Sequence, residues 1–114
     1  MNEPTEEQIR KSWKWCGFYE EDGMGVTDAD SNIYYRYIYT PTGELIERYP
    51  PIDLNNLFKW AGLKLDHIQL HWDRRAGKSG CHISYNARSY YSYGGGQYDN
   101  PALVLFWAIW EVIG

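Results

Sequence analysis

Several things that usually announce a function are scarce in this chain. It holds two cysteines in 114 residues, Cys16 and Cys81, with no C-x-x-C between them. Two isolated thiols fit a reducing compartment as small, half-buried hydrophobes, and the sequence leaves a disulfide between them open. Positive charge is also in deficit, with 11 Lys and Arg against 15 Asp and Glu, a net charge of −4. That excludes a general nucleic-acid binder and a protein held on anionic membranes, both of which need a basic stripe. No apolar run reaches the roughly 20 residues that span a bilayer. The opening Met1-Asn2-Glu3-Pro4 is acidic and polar, unlike a signal or transit peptide. No internal repeat, linker or low-complexity tract is present. At this length the expectation is a single domain, 1–114, with a core of its own.

Aromatic residues are abundant: six Trp, eleven Tyr and three Phe make 18% of the chain. Large rings fill the core of a small domain economically, which accounts for the Trp. Eleven Tyr are harder to bury, because each enclosed hydroxyl needs a partner, so some should lie on a surface that meets something. The most apolar stretch is the last, Asn100 to Gly114, in which Glu111 is the one charged residue. Asn100 suits an N-cap and Pro101 the first helical position. A helix apolar on nearly every side belongs inside a fold.

In chain order, Thr5-Glu6-Glu7-Gln8 is a capping box opening a helix over about 6–16, with Ile9, Trp13 and Cys16 on one face and Gly17 as its stop. Residues 18–31, rich in acids and glycines, read as a loop. Asp28 and Asp30 within it lack the glycine and glutamate of an EF-hand. Ile33 to Tyr39 reads as a strand, Thr40-Pro41-Thr42-Gly43 as a turn, and Glu44 to Tyr49 as the returning strand. After Pro50-Pro51, Asp53 caps a helix over about 54–63, which Gly62 weakens at its end. Asp66 to Asp73 alternates, with Ile68, Leu70 and Trp72 toward a core. Residues 74–80 read as a loop, Cys81 to Asn86 as a fourth strand, and Arg88 to Tyr93 as its extension or a fifth. The expected architecture is α+β: one antiparallel sheet of four to five strands packed with three helices, in the order α-ββ-α-ββ-α.

Three stretches carry a resemblance: Ser12 to Phe18 (SWKWCGF), Pro51 to Ala61 (PIDLNNLFKWA) and Asn100 to Glu111. Together, over about half the chain, they resemble the phage α-β-α sandwich domain family of small phage and prophage proteins. Members usually carry an aspartate where Asn100 stands; either residue caps a helix. The resemblance implies a fold and a phage context, hence the cytoplasm of an infected bacterial host, and it supplies no catalytic residue.

The residues themselves offer several constellations. Gly77-Lys78-Ser79 echoes the end of a P-loop, but Trp72 stands where the first glycine is required and a strand follows. What remains is a basic tip, Arg74, Arg75 and Lys78, able to grip an anion or simply solvated. His67, His71 and Asp73 share one strand face; His82 joins it only in the right hairpin register, on which a metal site hangs, and a small hydrolase using His67, His71 or His82 is a further alternative. The richest set is Tyr34, Tyr35, Arg36, Tyr37 and Tyr39 with Arg88, Tyr90, Tyr91 and Tyr93. Rings stack on bases and guanidinium groups hold phosphate, yet the same residues also dominate protein interfaces. The expectation is a non-enzymatic, cofactor-free phage protein that counters host defence by sequestering a small nucleotide-like immune signal. Its pocket would form at a homo-oligomer interface from Tyr35, Arg36, Tyr37, Arg74, Arg75, Lys78, Arg88, Tyr91 and Tyr93. Direct inhibition of a host defence protein through the same aromatic face is the alternative.

Overall fold

The structure is a computed structural model. It describes residues 3–26, 32–73, 78–93 and 100–113, with backbone alone for 23–26, 32–35, 72, 73 and 78. Its elements are α1 (Glu6–Trp15), β1 (Tyr19–Val26), β2 (Asn32–Tyr39), β3 (Leu45–Ile46), α2 (Leu54–Asn56), β4 (His67–Asp73), β5 (Lys78–Tyr85), β6 (Arg88–Tyr93) and α3 (Pro101–Ile113). The α+β class agrees with the sequence reading. The single sheet does not: there are two three-stranded antiparallel sheets, β1-β2-β3 and β4-β5-β6. The third strand is two residues long: the chain bends at Glu47 and Arg48, and Pro50 and Pro51 beyond have no N–H to donate. A ladder cut that short offers no edge for β4 to join.

The three helix starts form as their sequences dictate. Gln8 N–H donates to Thr5 Oγ1 at 3.2 Å while Thr5 N–H donates to Gln8 Oε1 at 2.9 Å, completing the capping box. Asn56 N–H donates to Asp53 Oδ1 at 2.8 Å, and Ala102 N–H to Asn100 Oδ1 at 2.9 Å. The middle helix departs from expectation. After α2 the chain widens into a π-helical turn, Leu57–Ala61, closed by Gly62 N–H on Leu57 O at 3.0 Å. Gly62 is required there because a Cβ would lie within 2.3 Å of the Phe58 carbonyl oxygen. The wide turn puts Leu57, Trp60 and Ala61 into the core together.

That core centres on α3. Val104, Leu105, Phe106 and Ala108 are sealed from solvent, and Ile109 is nearly so. They pack on β5 and β6, on α1, and on the α2 and π-helical segment. Phe18 and Trp13 extend the core toward α1, with ring centroids 5.4 Å apart, and Trp60 meets Phe18 edge-on at 5.1 Å. Trp13 Nε1 donates to Pro50 O at 2.9 Å, so the buried indole is satisfied. Both cysteines are buried and free; burial pushes the Cys16 thiol up to about 12 and the Cys81 thiol up to about 11.

Residues 19–26, read as loop, instead form β1, paired with β2 from Tyr19↔Tyr39 to Val26↔Asn32. This ribbon stands away from the body. Among the described residues β1 and β2 contact each other and, through β2, β3, with no substantial packing on α3 or on the second sheet. The molecule is 63 Å long and 22 Å across its shortest axis, with a radius of gyration of 17.3 Å. A compact chain of this length would have about 13 Å. Among the described residues, the ribbon is tied to α1 at its base. Glu20 accepts from Arg10 at 2.6 Å and lies 3.0 Å from Lys14 Nζ, both on α1. Burial would raise the Glu20 carboxyl, but these hydrogen bonds outweigh it and hold the group below the usual carboxylate range. Beside it, burial and the Glu20 charge push the Tyr49 hydroxyl up to about 12.

Candidate functional site

Register decides what the second sheet displays. Ile68↔Ile83 and Leu70↔Cys81 pair across β4 and β5, and Ile83↔Tyr90 and Cys81↔Ser92 across β5 and β6. These residues face α3. The intervening rows, His67↔Ser84↔Ser89, Gln69↔His82↔Tyr91 and His71↔Gly80↔Tyr93, form the opposite face. His82 therefore joins His67 and His71, the register that the sequence left open. Its ring stacks on Tyr91, centroids 4.6 Å apart and planes 12° from parallel, and tilts against His67 at 5.8 Å. His71 meets Tyr93 edge-on at 6.4 Å and covers Gly80, where a Cβ would strike the imidazole. Tyr91 is 54% and Tyr93 66% exposed. The result is a polar-aromatic platform whose rings pack on one another, on a sheet whose opposite face is backed by α3.

The turn between β5 and β6 aims this platform. Asn86 and Ala87 both take positive φ, 51° and 63°, the geometry of a two-residue hairpin turn that matches strand twist. Arg88 follows at the open end of β6, exposed; Lys78 starts β5 at the other end, paired with Asp73. Arg74 and Arg75 lie outside the described residues.

The other half of the expected site is elsewhere. Tyr35, Arg36 and Tyr37 lie on β2, in the ribbon, and β2 makes no substantial contact with β6. Arg36 and Tyr37 line a shallow groove of about 510 Å³ with Leu45, Ile46 and Glu47. Asp22 Oδ1 lies 3.8 Å from Arg36 Nε, an exposed and weak pair. Tyr19, which the loop reading hid, stacks on Tyr39 at 5.1 Å. Within one chain, then, the nine expected residues divide: six in the segment of the second sheet and three on the ribbon.

The platform's chemistry is that of contact. His82 Nε2 is buried without a hydrogen-bond partner, and among the described residues no carboxylate orients any of the three imidazoles. No group of three or more His, Cys, Asp or Glu among the described residues is placed to hold a metal ion. Among the same residues no helix is long and apolar enough to cross a membrane. Comparison with protein-family models, with curated proteins and with solved structures returns no match.

Proposed function

We propose that this is a non-enzymatic binding protein that holds a small nucleotide-type ligand against the outer face of the β4-β5-β6 sheet. The observation that carries the reading is the exposed pair Tyr91 and Tyr93, braced by His82 and His71 on a sheet backed by a buried helix. Stacking a base on such a ring contributes about 1–3 kcal/mol and needs no catalytic set. The basic residues of the same segment, Lys78, Arg74, Arg75 and Arg88, are the charge proposed for phosphate, Lys78 in register with the platform rows and Arg88 at the strand end in the row that continues Ile83↔Tyr90. The phage-type resemblance of the helical stretches gives the context: a counter-defence protein in the host cytoplasm that removes a nucleotide signal, working as a homo-oligomer.

The experiment is a melting-temperature screen against cyclic and ADP-ribose-type nucleotides. A ligand at one hundred times its Kd should stabilise the protein by about 2.7 kcal/mol. Tyr91→Ala and Tyr93→Ala should abolish that shift while leaving the ligand-free transition where it was, because both rings are largely in water. No shift across the panel would count against the reading. The projecting ribbon favours a second reading, direct inhibition of a host defence protein. Under it, the purified protein would retain a host chain on a pull-down and bind no nucleotide.

A further inference from the structure

We infer that the inner side of the β4-β5-β6 sheet holds a cleft for a small, uncharged aromatic molecule with one hydrogen-bonding group, separate from the outer-face platform. The cleft follows from where α3 lies. Its sheet contacts fall mainly on β5 and β6, so Leu70 on the edge strand β4 is only partly covered. Between Leu70 and the first turns of α3, at Pro101 and Val104, a cleft of about 180 Å³ remains, completed by His71, Ser79 and Gly80. His71 and Pro101 are exposed and form its mouth; Val104, Ser79 and Gly80 are buried and form its deep end.

The lining selects the ligand, first by size. An apolar cavity of about 150 Å³ accepts benzene, whereas sites for drug-sized molecules begin at about 300 Å³. The room here is for one ring, which Leu70, Pro101 and Val104 would hold by apolar contact. Charge selects next. Among the described residues no Lys, Arg, Asp or Glu lines the cleft, so an ion entering it would give up its water for no counter-charge.

Hydrogen bonding selects last. Strand alternation sets Ser79 on the face of Cys81, toward α3. Ser79 is 5% exposed, and its hydroxyl is buried without a hydrogen-bond partner, a state that costs stability. Rotation about the Cα–Cβ bond moves that hydroxyl among three staggered positions, so it can turn to a group arriving in the cleft that Ser79 lines. A ring hydroxyl or ring nitrogen supplies the partner that the chain does not. A phenol-like molecule meets all three conditions.

Phenol and toluene are the probes, matched in shape and differing in the hydroxyl. Titrated into the full chain and followed by amide NMR, phenol should give saturable shifts centred on Leu70, Gly80 and Val104. Ser79→Ala should weaken phenol about threefold to tenfold and leave toluene within about twofold. The melting temperature of that variant without ligand should hold or rise, since an unpaired buried hydroxyl has been removed. Tyr91→Ala with Tyr93→Ala should leave both probes bound, so this site and the outer-face reading fail independently. No saturable shift at those amides overturns the inference. So does equal weakening of both probes by Ser79→Ala, or a lowered melting temperature, which would reveal a partner for the hydroxyl within the chain. Binding lost with the two tyrosines would put the probes on the outer face and overturn it as well.

Discussion

The two sheets of this protein have the same strand number and the same antiparallel order, and they are stabilised in opposite ways. The β4-β5-β6 sheet buries one face on α3, with Cys81 and Ile83 fully enclosed against Val104 and Phe106. Among the described residues the β1-β2-β3 sheet has no helix packed across it; it is held at its base by Glu20 and along its length by its own ladder. Pairing alone therefore does not tell which sheet is robust. The difference is in what lies behind the strands: one sheet is a platform backed by a helix, the other an acidic ribbon held at its base.

The largest expected effect separates them directly. Phe106→Ala removes a fully enclosed ring from behind the platform and should cost about 3–5 kcal/mol in chemical unfolding. Tyr37→Ala, on the ribbon, should leave the same transition within about 0.5 kcal/mol. Next comes Gly62→Ala, which drives a Cβ onto the Phe58 carbonyl and should cost about 1–3 kcal/mol. It would loosen the body that carries the platform and spare the ribbon's ladder. In the other direction, Ala87→Gly relieves a non-glycine residue at φ 63° and should stabilise the platform hairpin by about 1 kcal/mol.

Titration gives a smaller contrast. Glu20 sits below its ordinary pKa in the folded chain, so its contribution is present above about pH 4.3 and is lost as pH falls further. Acid should therefore release the ribbon base before it disturbs the platform. The thiols behave oppositely. Cys81 and Cys16 are raised, so the protonated form favours the fold and stability should decline from about pH 8.5 upward toward the folded values. In the native chain at pH 8 neither should react with a thiol reagent until the protein unfolds.

Much of this was legible in the residues, and the rest was hidden for physical reasons. Thr5, Asp53 and Asn100 mark helix starts because capping is a local hydrogen bond, and each makes the expected one. The burial of α3 follows from a stretch with no polar side to turn outward. β1 was not legible, since Tyr-Glu-Glu-Asp-Gly-Met-Gly-Val has little strand character and is held by pairing with β2. Nor was the split into two sheets, which depends on how far β3 extends before Pro50. The tyrosines were recognisable as a surplus, but alternation along a strand cannot say which neighbour each row meets. Only the register placed His82 on Tyr91 and separated the β2 residues from those of β6.

The most direct measurement is amide hydrogen exchange read strand by strand under native conditions. The amides of the central strand β5, backed by α3, should exchange only through global unfolding, while those of β1 and β2 should exchange through local opening, faster by about a hundredfold or more. Ribbon amides as slow as those of β5 would contradict the contrast between the two sheets.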